Sequence, residues 1–387
     1  MCIRDRMSSE SLAKLAEEFF QASLDSSPTS AIMRGHKKYF DQIEELTDEK
    51  FEEEMENVQN FKNSLSNIDL NSLSDKEKVT YGMLEFALDS NYDSLVDRGW
   101  EFSAGVAGFE GFLIDYNQQM FIPDKESGDM LLKRLELYEK FYSQISDVQK
   151  KGLENNRVAT QRNLKRSIDQ LESYLKTSLD SDPLLLVNFA PTVDKKEISE
   201  WKEKAKKVVE KYVRPNVLSY LEQLQVEHLP KGRTDENPGI MWIEGGEEVY
   251  LRSLRKYTGH KETTVKEVHE IGLSEIERLK KEFFEIGKDV FDGVNSPEEV
   301  LYKMQTEPSM RYESKEQMLQ LAEDTIERAY KPLAEWFTVF PKAPCKVLPV
   351  PTQSEKHAPP AYYFPPLPDG SRAVSYTHLT LPTICSV

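Results

Sequence analysis

Few residues in this chain have the types and spacing that chemistry requires, and His269 with Glu270 is the first pair to consider. A helical zinc site needs a second histidine four residues after the first, so that both imidazoles bind one ion. Position 273 is a leucine, and no other histidine pair or Cys-x-x-Cys motif has ligand spacing. We therefore predict no metal site in the sequence as it stands, and we interpret His269 as a packed or surface histidine.

Motifs for nucleophilic catalysis and phosphate binding are also missing, so the sequence assigns no catalytic residue. It contains no GxSxG elbow, no phosphate-binding GKS or GKT loop and no GxGxxG. Gly105, Gly108 and Gly111 lack the strand and helix context of a dinucleotide site, and we interpret them as a loop between two helices. Gly245 and Gly246 precede two glutamates that would repel an anion, which favours helix capping there.

A cluster near the C-terminus offers groups that could bind a substrate. Tyr362 and Tyr363 supply hydroxyl donors, and Asp369 with the following glycine favours a tight turn. Arg372 could hold a carboxylate through two hydrogen bonds. The alternative interpretation is a proline-rich loop with a surface hairpin, and local chemistry alone favours that alternative.

Long amphipathic helices are the elements that must position any site. Apolar residues at helical spacing predict a helix over Thr47–Ser66. Ser74 and Glu77 form a capping box that should begin a second helix. We expect the apolar face of this second helix to include Val79, Met83 and Phe86. Three further helical patterns follow in the middle of the chain: Leu131–Ile145, a stretch after Gly152 that reaches Leu179, and Lys195–Gln225, in which Pro215 should cause a kink or break.

Four more helices are expected in the second half of the chain. They cover Glu247–Tyr257 before Gly259, a segment after the capping box of Thr264 and Glu267, a segment from Ser296, and Ser314 to Tyr330.

After Pro341 the pattern changes, since the segments from Lys346 and from Ala361 are typical of short strands among prolines. The sequence therefore predicts a mostly α fold with a small β element near the C-terminus. We find no internal repeat.

Composition excludes several classes of protein. The formal net charge of −17 argues against nucleic acid as a partner, since phosphate binding needs concentrated lysine and arginine. No apolar run approaches the ~20 residues of a membrane span, so we expect no membrane insertion. Three cysteines rule out a disulfide-stapled scaffold, and a cytoplasmic location fits best. The sequence does not indicate an oligomeric state.

Both ends of the chain differ from the rest. Residues 1–6 and the uncharged residues 374–387 resemble translated adaptor sequence, and we exclude them from fold reasoning. That leaves residues 7–373 as one large helical domain with Cys345 as its single cysteine.

Several motifs, in order along the chain, resemble the bacterial domain-of-unknown-function 885 family. The segment from Ser27 to Tyr39 is similar to the family's opening, and the segment from Asn237 to Tyr250 to its central Gly-Gly-x-x-Tyr motif. Val268–Ile276 is similar to the following helix. The tyrosine pair and Asp369–Arg372 resemble a late motif that normally continues Arg-Pro-Gly, where this chain has Ala373.

The resemblance implies a relationship to zinc metallopeptidases of the zincin class, whose His-Glu motif would lie beyond Arg372. The chain would then be the N-terminal portion of an incomplete zincin-like domain, inactive by itself and without a cofactor. Its parent would bind zinc and cleave peptide substrates. The alternative hypothesis is a non-enzymatic helical scaffold or a peptide-binding protein.

Overall fold

The computed structural model divides the chain into two compact units, Met1–Lys261 (unit 1) and Glu262–Val387 (unit 2). The sequence analysis placed no boundary at residue 261. The structure describes residues 3–104, 108, 113–114, 117, 120–338, 344–350, 361–364 and 374–377.

Unit 1 begins with four helices, three of which share an apolar core. They are α1 (Ile3–Ser26), α2 (Pro28–Met33), α3 (Asp48–Ser66) and α4 (Asp75–Asp97). As the sequence predicts, Thr47 caps α3 and the capping box of Ser74 and Glu77 begins α4. The core side chains come from α1, α3 and α4: Leu12, Leu15, Val58, Leu65, Leu84, Leu88 and Leu95, joined by Leu73.

The apolar face expected for α4 is the wrong one. Val79, Met83 and Phe86 are exposed, whereas the helix packs through Leu84, Leu88 and Leu95. Both sets recur at helical spacing, so periodicity alone does not distinguish them. The buried set is the one that meets α1 and α3 in the folded chain.

The middle of unit 1 contains three helices, α5 (Lys125–Glu136), α6 (Tyr138–Glu154) and α7 (Gln161–Lys176). The continuous pattern of Leu131–Ile145 is therefore broken at Leu137, although its apolar residues are buried on both sides of the break. Gly152 lies inside α6, so the next helix starts later than expected, with Thr160 as its N-cap. A two-stranded parallel sheet of β1 (Phe121–Ile122) and β2 (Asn188–Phe189) accompanies these helices.

The segment expected as one long helix with a break at Pro215 is divided, as predicted. α8 (Lys195–Val208) runs into a π turn over Val209–Val213, and Pro215 lies in the first turn of α9 (Arg214–Gln223). Proline is tolerated at a helix start because its missing N–H would have no partner there.

The last helix of unit 1 is α10 (Gly246–Thr258), bounded by glycines as predicted. Gly245 has a φ of 68°, and Gly259 a φ of 70°, in the left-handed region that glycine adopts without strain. A Cβ on Gly246 would lie 2.0 Å from the carbonyl oxygen of Ile240. The Gly-Gly pair therefore combines a left-handed residue with one that tolerates no side chain.

Unit 2 contains α11 (Val265–Val290), α12 (Pro297–Thr306), α13 (Lys315–Tyr330) and the short α14 (Leu333–Trp336). Thr264, Ser296 and Ser314 cap the first three of these helices, as the sequence predicts. Phe291, Val294 and Val300 form a small buried cluster. Many apolar side chains of α11 are nevertheless exposed: Val265, Ile271, Leu273, Ile276, Leu279, Ile286 and Val290.

Unit 2 also holds the small β element expected near the C-terminus. β5 (Val374–Thr377) lies between β3 (Lys346–Pro349), to which it is parallel, and β4 (Ala361–Phe364), to which it is antiparallel. The mostly α fold with a late β element is confirmed. β5 belongs to the segment that the sequence analysis set aside as adaptor-like, and the origin of that segment stays a prediction.

Candidate functional site

The groups proposed from the sequence fall in unit 2. Tyr362 and Tyr363 lie on β4, opposite Tyr376 and Ser375 of β5, and the Tyr363 side chain is more than half exposed. Asp369 and Arg372 lie outside the described residues, as do Gly105 and Gly111. The substrate-binding cluster therefore stays a prediction.

No group of three metal-binding side chains occurs in the part of the chain that the structure describes. His269 is exposed on α11, and the helix offers Leu273 where a zinc motif would have its second histidine. Buried His228 contacts a backbone carbonyl oxygen, that of Gln223, at 3.4 Å. These residues do not form a zinc site.

A cavity of about 500 Å³ in unit 1 is the strongest candidate for a binding site. Its volume lies within the range of ~300–1,000 Å³ that is typical of small-ligand pockets. Five parts of the unit contribute its described lining, and they are the loop before α3, the turn after α4, the middle of α6, the start of α7 and the loop before α10. The lining residues are Leu46, Gly99, Trp100, Phe102, Ser103, Ala104, Ile145, Gln149, Ala159, Thr160, Asn163, Arg233, Pro238 and Ile240.

The apolar side of the cavity is built on aromatic packing. Trp100 stacks on Phe51 of α3, with 3.9 Å between ring centroids and an angle of 14° between the rings. Ile145 comes from the buried face of α6, which fixes its position against the core. Such a wall suits an apolar side chain or ring of a ligand.

Arg157 links the turn after α4 to the segment just before the Gly-Gly pair. Its Nε donates to the buried carboxylate of Glu101 at 2.6 Å, and its Nη1 donates to the carbonyl of Glu244 at 2.6 Å. Its Nη2 donates to the carbonyl of Asp97, and the guanidinium lies over the ring of Phe102. The turn after α4 and the start of the Gly-Gly segment are therefore held at fixed positions around the cavity.

Gly152 allows α6 to approach the turn that carries Trp100. A Cβ at this position would lie 2.5 Å from the carbonyl oxygen of Glu101 and 2.8 Å from that of Arg157. Those distances are shorter than any Cβ contact that a structure tolerates, so only glycine fits without a shift of the wall.

The loop before α10 contributes Arg233 to the lining of the cavity. The residue joins the start of α7 in a short parallel bridge, in which the Gln161 N–H donates to the Arg233 carbonyl at 2.8 Å. The guanidinium donates to the carbonyls of Val158, Pro238 and Gly239, and burial lowers its pKa. The loop is thus organised by its own backbone carbonyls around one cation.

Sequence reasoning missed this cavity because its lining residues carry no motif. Among the described lining residues, only Pro238 and Ile240 belong to a segment that the sequence analysis matched to a family motif, that of the Gly-Gly pair. The side chains of Met241 and Trp242 lie beside Gly239 in the same loop, and both are at least half exposed. An exposed apolar loop next to a glycine pair was the available signal.

The chain matches one protein family over residues 28–383, described as "Bacterial protein of unknown function (DUF885)". The sequence analysis followed the resemblance only to Arg372 and took it as the N-terminal portion of the domain, whereas the match covers nearly the whole chain. The relationship to zincins stays a prediction. No curated protein sequence matches the chain.

Two solved structures have a similar fold. One is described as a putative lipoprotein from Colwellia psychrerythraea, with a TM-score of 0.82 and 19% identity, covering 97% of this chain and 68% of that one. The other is described as a putative lipoprotein of unknown function from Shewanella oneidensis, with a TM-score of 0.60 and 16% identity, covering 97% of this chain and 65% of that one. The chain therefore spans about two thirds of the length of each.

Proposed function

We propose that unit 1 of this chain, which belongs to the bacterial DUF885 family of unknown function, binds an apolar peptide segment in its cavity. The observation that carries the proposal is the cavity itself, with its aromatic wall and few polar groups. Met241 and Trp242 add exposed apolar surface in the loop that contributes Pro238 and Ile240. This combination suits a peptide side chain in the cavity and further residues along the loop.

The chemistry of the lining favours binding over catalysis. The described lining includes no Asp, Glu, His, Cys or Lys, so it lacks a side chain that could act as general base near neutral pH. Thr160 is committed to capping α7, because its hydroxyl oxygen accepts from the Asn163 N–H at 3.2 Å. A hydroxyl without a neighbouring base is a weak nucleophile.

The family resemblance supplies a second proposal, that a longer protein containing this chain is a zinc-dependent peptidase-like hydrolase. The support is the resemblance together with the length of the two similar structures, about a third of which has no counterpart here. The described residues offer no set of zinc ligands, so we derive no catalytic step from them. In that parent the helical units would bind the peptide.

The location of the protein in the cell and its partners are also proposals. We propose a cytoplasmic location and no nucleic-acid partner, on the basis of the cysteine content and the acidic charge. None of the described helices is long and apolar enough to cross a membrane. Because the similar structures are described as lipoproteins, fractionation of cells that express the native gene decides between cytoplasm and membrane.

Calorimetric titration with acetyl-Ala-Ala-Phe, as its free acid and as its amide, tests the binding proposal. Ala104 lines the cavity and is half-buried, so Ala104→Phe should occupy part of the cavity and weaken binding at least about tenfold. Ala87→Phe, at a half-buried alanine of α4 outside the lining, is the matched control and should bind normally. If neither peptide binds wild type, or if both bind Ala104→Phe as tightly as wild type, the proposal is contradicted.

Metal analysis after dialysis, with a peptide hydrolysis assay, tests the second proposal. We predict that this chain retains no stoichiometric zinc and cleaves no peptide. A content of about one zinc per chain with hydrolysis would show that the chain itself contains a catalytic site.

A further inference from the structure

The cavity has an unusual balance of charge for this protein. The chain carries a formal net charge of −17, yet the described lining of the cavity includes one charged residue, Arg233, and no acidic one. A cation at the rim of a partly apolar cavity favours a negatively charged ligand, because opposite charges attract more strongly away from bulk water.

Arg233 also differs from the other half-buried arginines near the core of unit 1. Arg157 pairs with Glu101 and Arg214 with Asp182, each within hydrogen-bond distance. Among the described residues, Arg233 has no carboxylate within ion-pair distance, and its Nη2 donates no hydrogen bond. The carbonyls that it contacts satisfy Nε and Nη1, and no carboxylate in the described ranges neutralises its charge.

Two polar groups of the lining can also donate to an anion. Thr160 and Asn163 line the cavity from the first turn of α7, where the helix carries partial positive charge. The Asn163 side-chain amide has no hydrogen-bond partner in the described part of the chain, so it is available to a ligand. The same lining includes the apolar side chains of Trp100, Phe102 and Ile145.

We infer, on the basis of the proposed binding function, that the cavity selects an apolar ligand ending in a carboxylate, with Arg233 as the counter-ion of that carboxylate. The apolar group of the ligand packs on the aromatic wall, and a carboxylate oxygen accepts from the free Nη2. A peptide C-terminus and a small aryl carboxylic acid share this chemistry.

Two pairs of probes test the charge preference at neutral pH. The first pair is acetyl-Ala-Ala-Phe as acid and as amide, and the second is 3-phenylpropanoate and 3-phenylpropanamide. We expect each bound acid to bind at least about tenfold more tightly than its amide. Preference within the peptide pair alone identifies a peptide C-terminus, and preference in both pairs identifies apolar carboxylates in general.

Asn163→Asp supplies a test that does not remove Arg233 from its loop. An acidic side chain in the first turn suits the helix, so the fold should be kept, while the new carboxylate competes for the cation. We expect acid binding to fall about tenfold more than amide binding. Arg162→Gln is the control, since it removes an exposed cation from the same turn, paired with Asp235, and should change neither affinity.

The outcomes separate this inference from the proposal on which it rests. Equal affinity for acid and amide, or an equal loss of both in Asn163→Asp, overturns the charge assignment while leaving binding by the cavity intact. Failure of all four probes to bind contradicts the binding function itself.

Discussion

Arg157 shows how much one side chain can contribute to the structure around the cavity. Its guanidinium contacts the turn after α4, the ring of Phe102 and the carbonyl of Glu244, and its carboxylate partner Glu101 is almost fully buried. Removing one partner of a buried pair leaves an uncompensated charge, which is costly.

We predict that Arg157→Gln lowers the free energy of unfolding by about 3–5 kcal/mol and weakens ligand binding. Arg162→Gln removes an exposed pair with Asp235 and should change the free energy by less than about 1 kcal/mol. Urea denaturation of both variants measures the difference. Equal stabilities would mean that Glu101 finds sufficient compensation from Arg98, whose Nη2 lies 2.8 Å from its Oε1.

Asp124 gives a prediction about pH. Its carboxylate accepts from the Ser127 N–H and pairs with Lys37, and these contacts lower its pKa to about 2. A carboxyl group with a lowered pKa in the folded state stabilises the fold above its ordinary pKa, and this contribution is lost as pH falls toward about 2.

Asp124→Asn keeps a cap for α5 but removes the charge. The variant should therefore lose the part of the acid dependence between about pH 4 and pH 2, where the wild-type carboxyl group becomes protonated. Asp124→Ala also removes the cap, and it should lower stability by about 1 kcal/mol at neutral pH. Denaturation midpoints over this pH range test both expectations, and identical slopes for wild type and Asp124→Asn would contradict them.

At the level of elements, the close approach of α6 to the turn at Gly99–Glu101 shapes the cavity. Gly152 makes this approach possible, because any Cβ would collide with two carbonyl oxygens. Gly152→Ala should therefore destabilise unit 1 and weaken peptide binding together, since the turn carries Trp100.

The control for this prediction is Gly82→Ala. Gly82 lies inside α4 with open space around its Cα, so alanine there should stabilise the helix by about 0.5–1 kcal/mol and leave binding unchanged. Thermal melting and peptide titration of the two variants give the comparison. A Gly152→Ala variant with normal stability and affinity would show that the wall adapts to the added methyl group.

Several helix starts were predictable from the sequence because caps are local, whereas the break at Leu137 and the position of Gly152 inside a helix were not. Ser74, Thr264 and Ser314 each begin a helix in the structure, and Pro215 divides the segment that contains it. The buried face of α4 was not predictable, because Leu84 and Leu88 are selected by contacts with distant helices. The cavity escaped prediction for the same reason, since it joins residues from five parts of the chain that no spacing relates.

For the whole molecule, the exposed apolar surface of unit 2 is the property with the clearest consequence. The side chains of Trp336 and Phe337 are 76% and 59% exposed, in addition to the exposed apolar residues of α11. Apolar surface on this scale favours association.

We predict that the purified chain binds a hydrophobic dye and self-associates at micromolar concentration. Replacing Ile276 and Leu279 on the exposed face of α11 by lysine should reduce both effects without unfolding the helix, since both side chains are half exposed. Light scattering and dye fluorescence measure the change. A monodisperse wild-type chain with a single cooperative melting transition and no dye binding would contradict this prediction.

Titration of acetyl-Ala-Ala-Phe into wild type and Ala104→Phe decides whether the cavity of unit 1 binds a peptide ligand. We expect saturable binding with one site per wild-type chain, and binding at least about tenfold weaker in the variant whose cavity is narrowed by phenylalanine. Binding that is equal in the two proteins, or absent from wild type, would contradict this expectation.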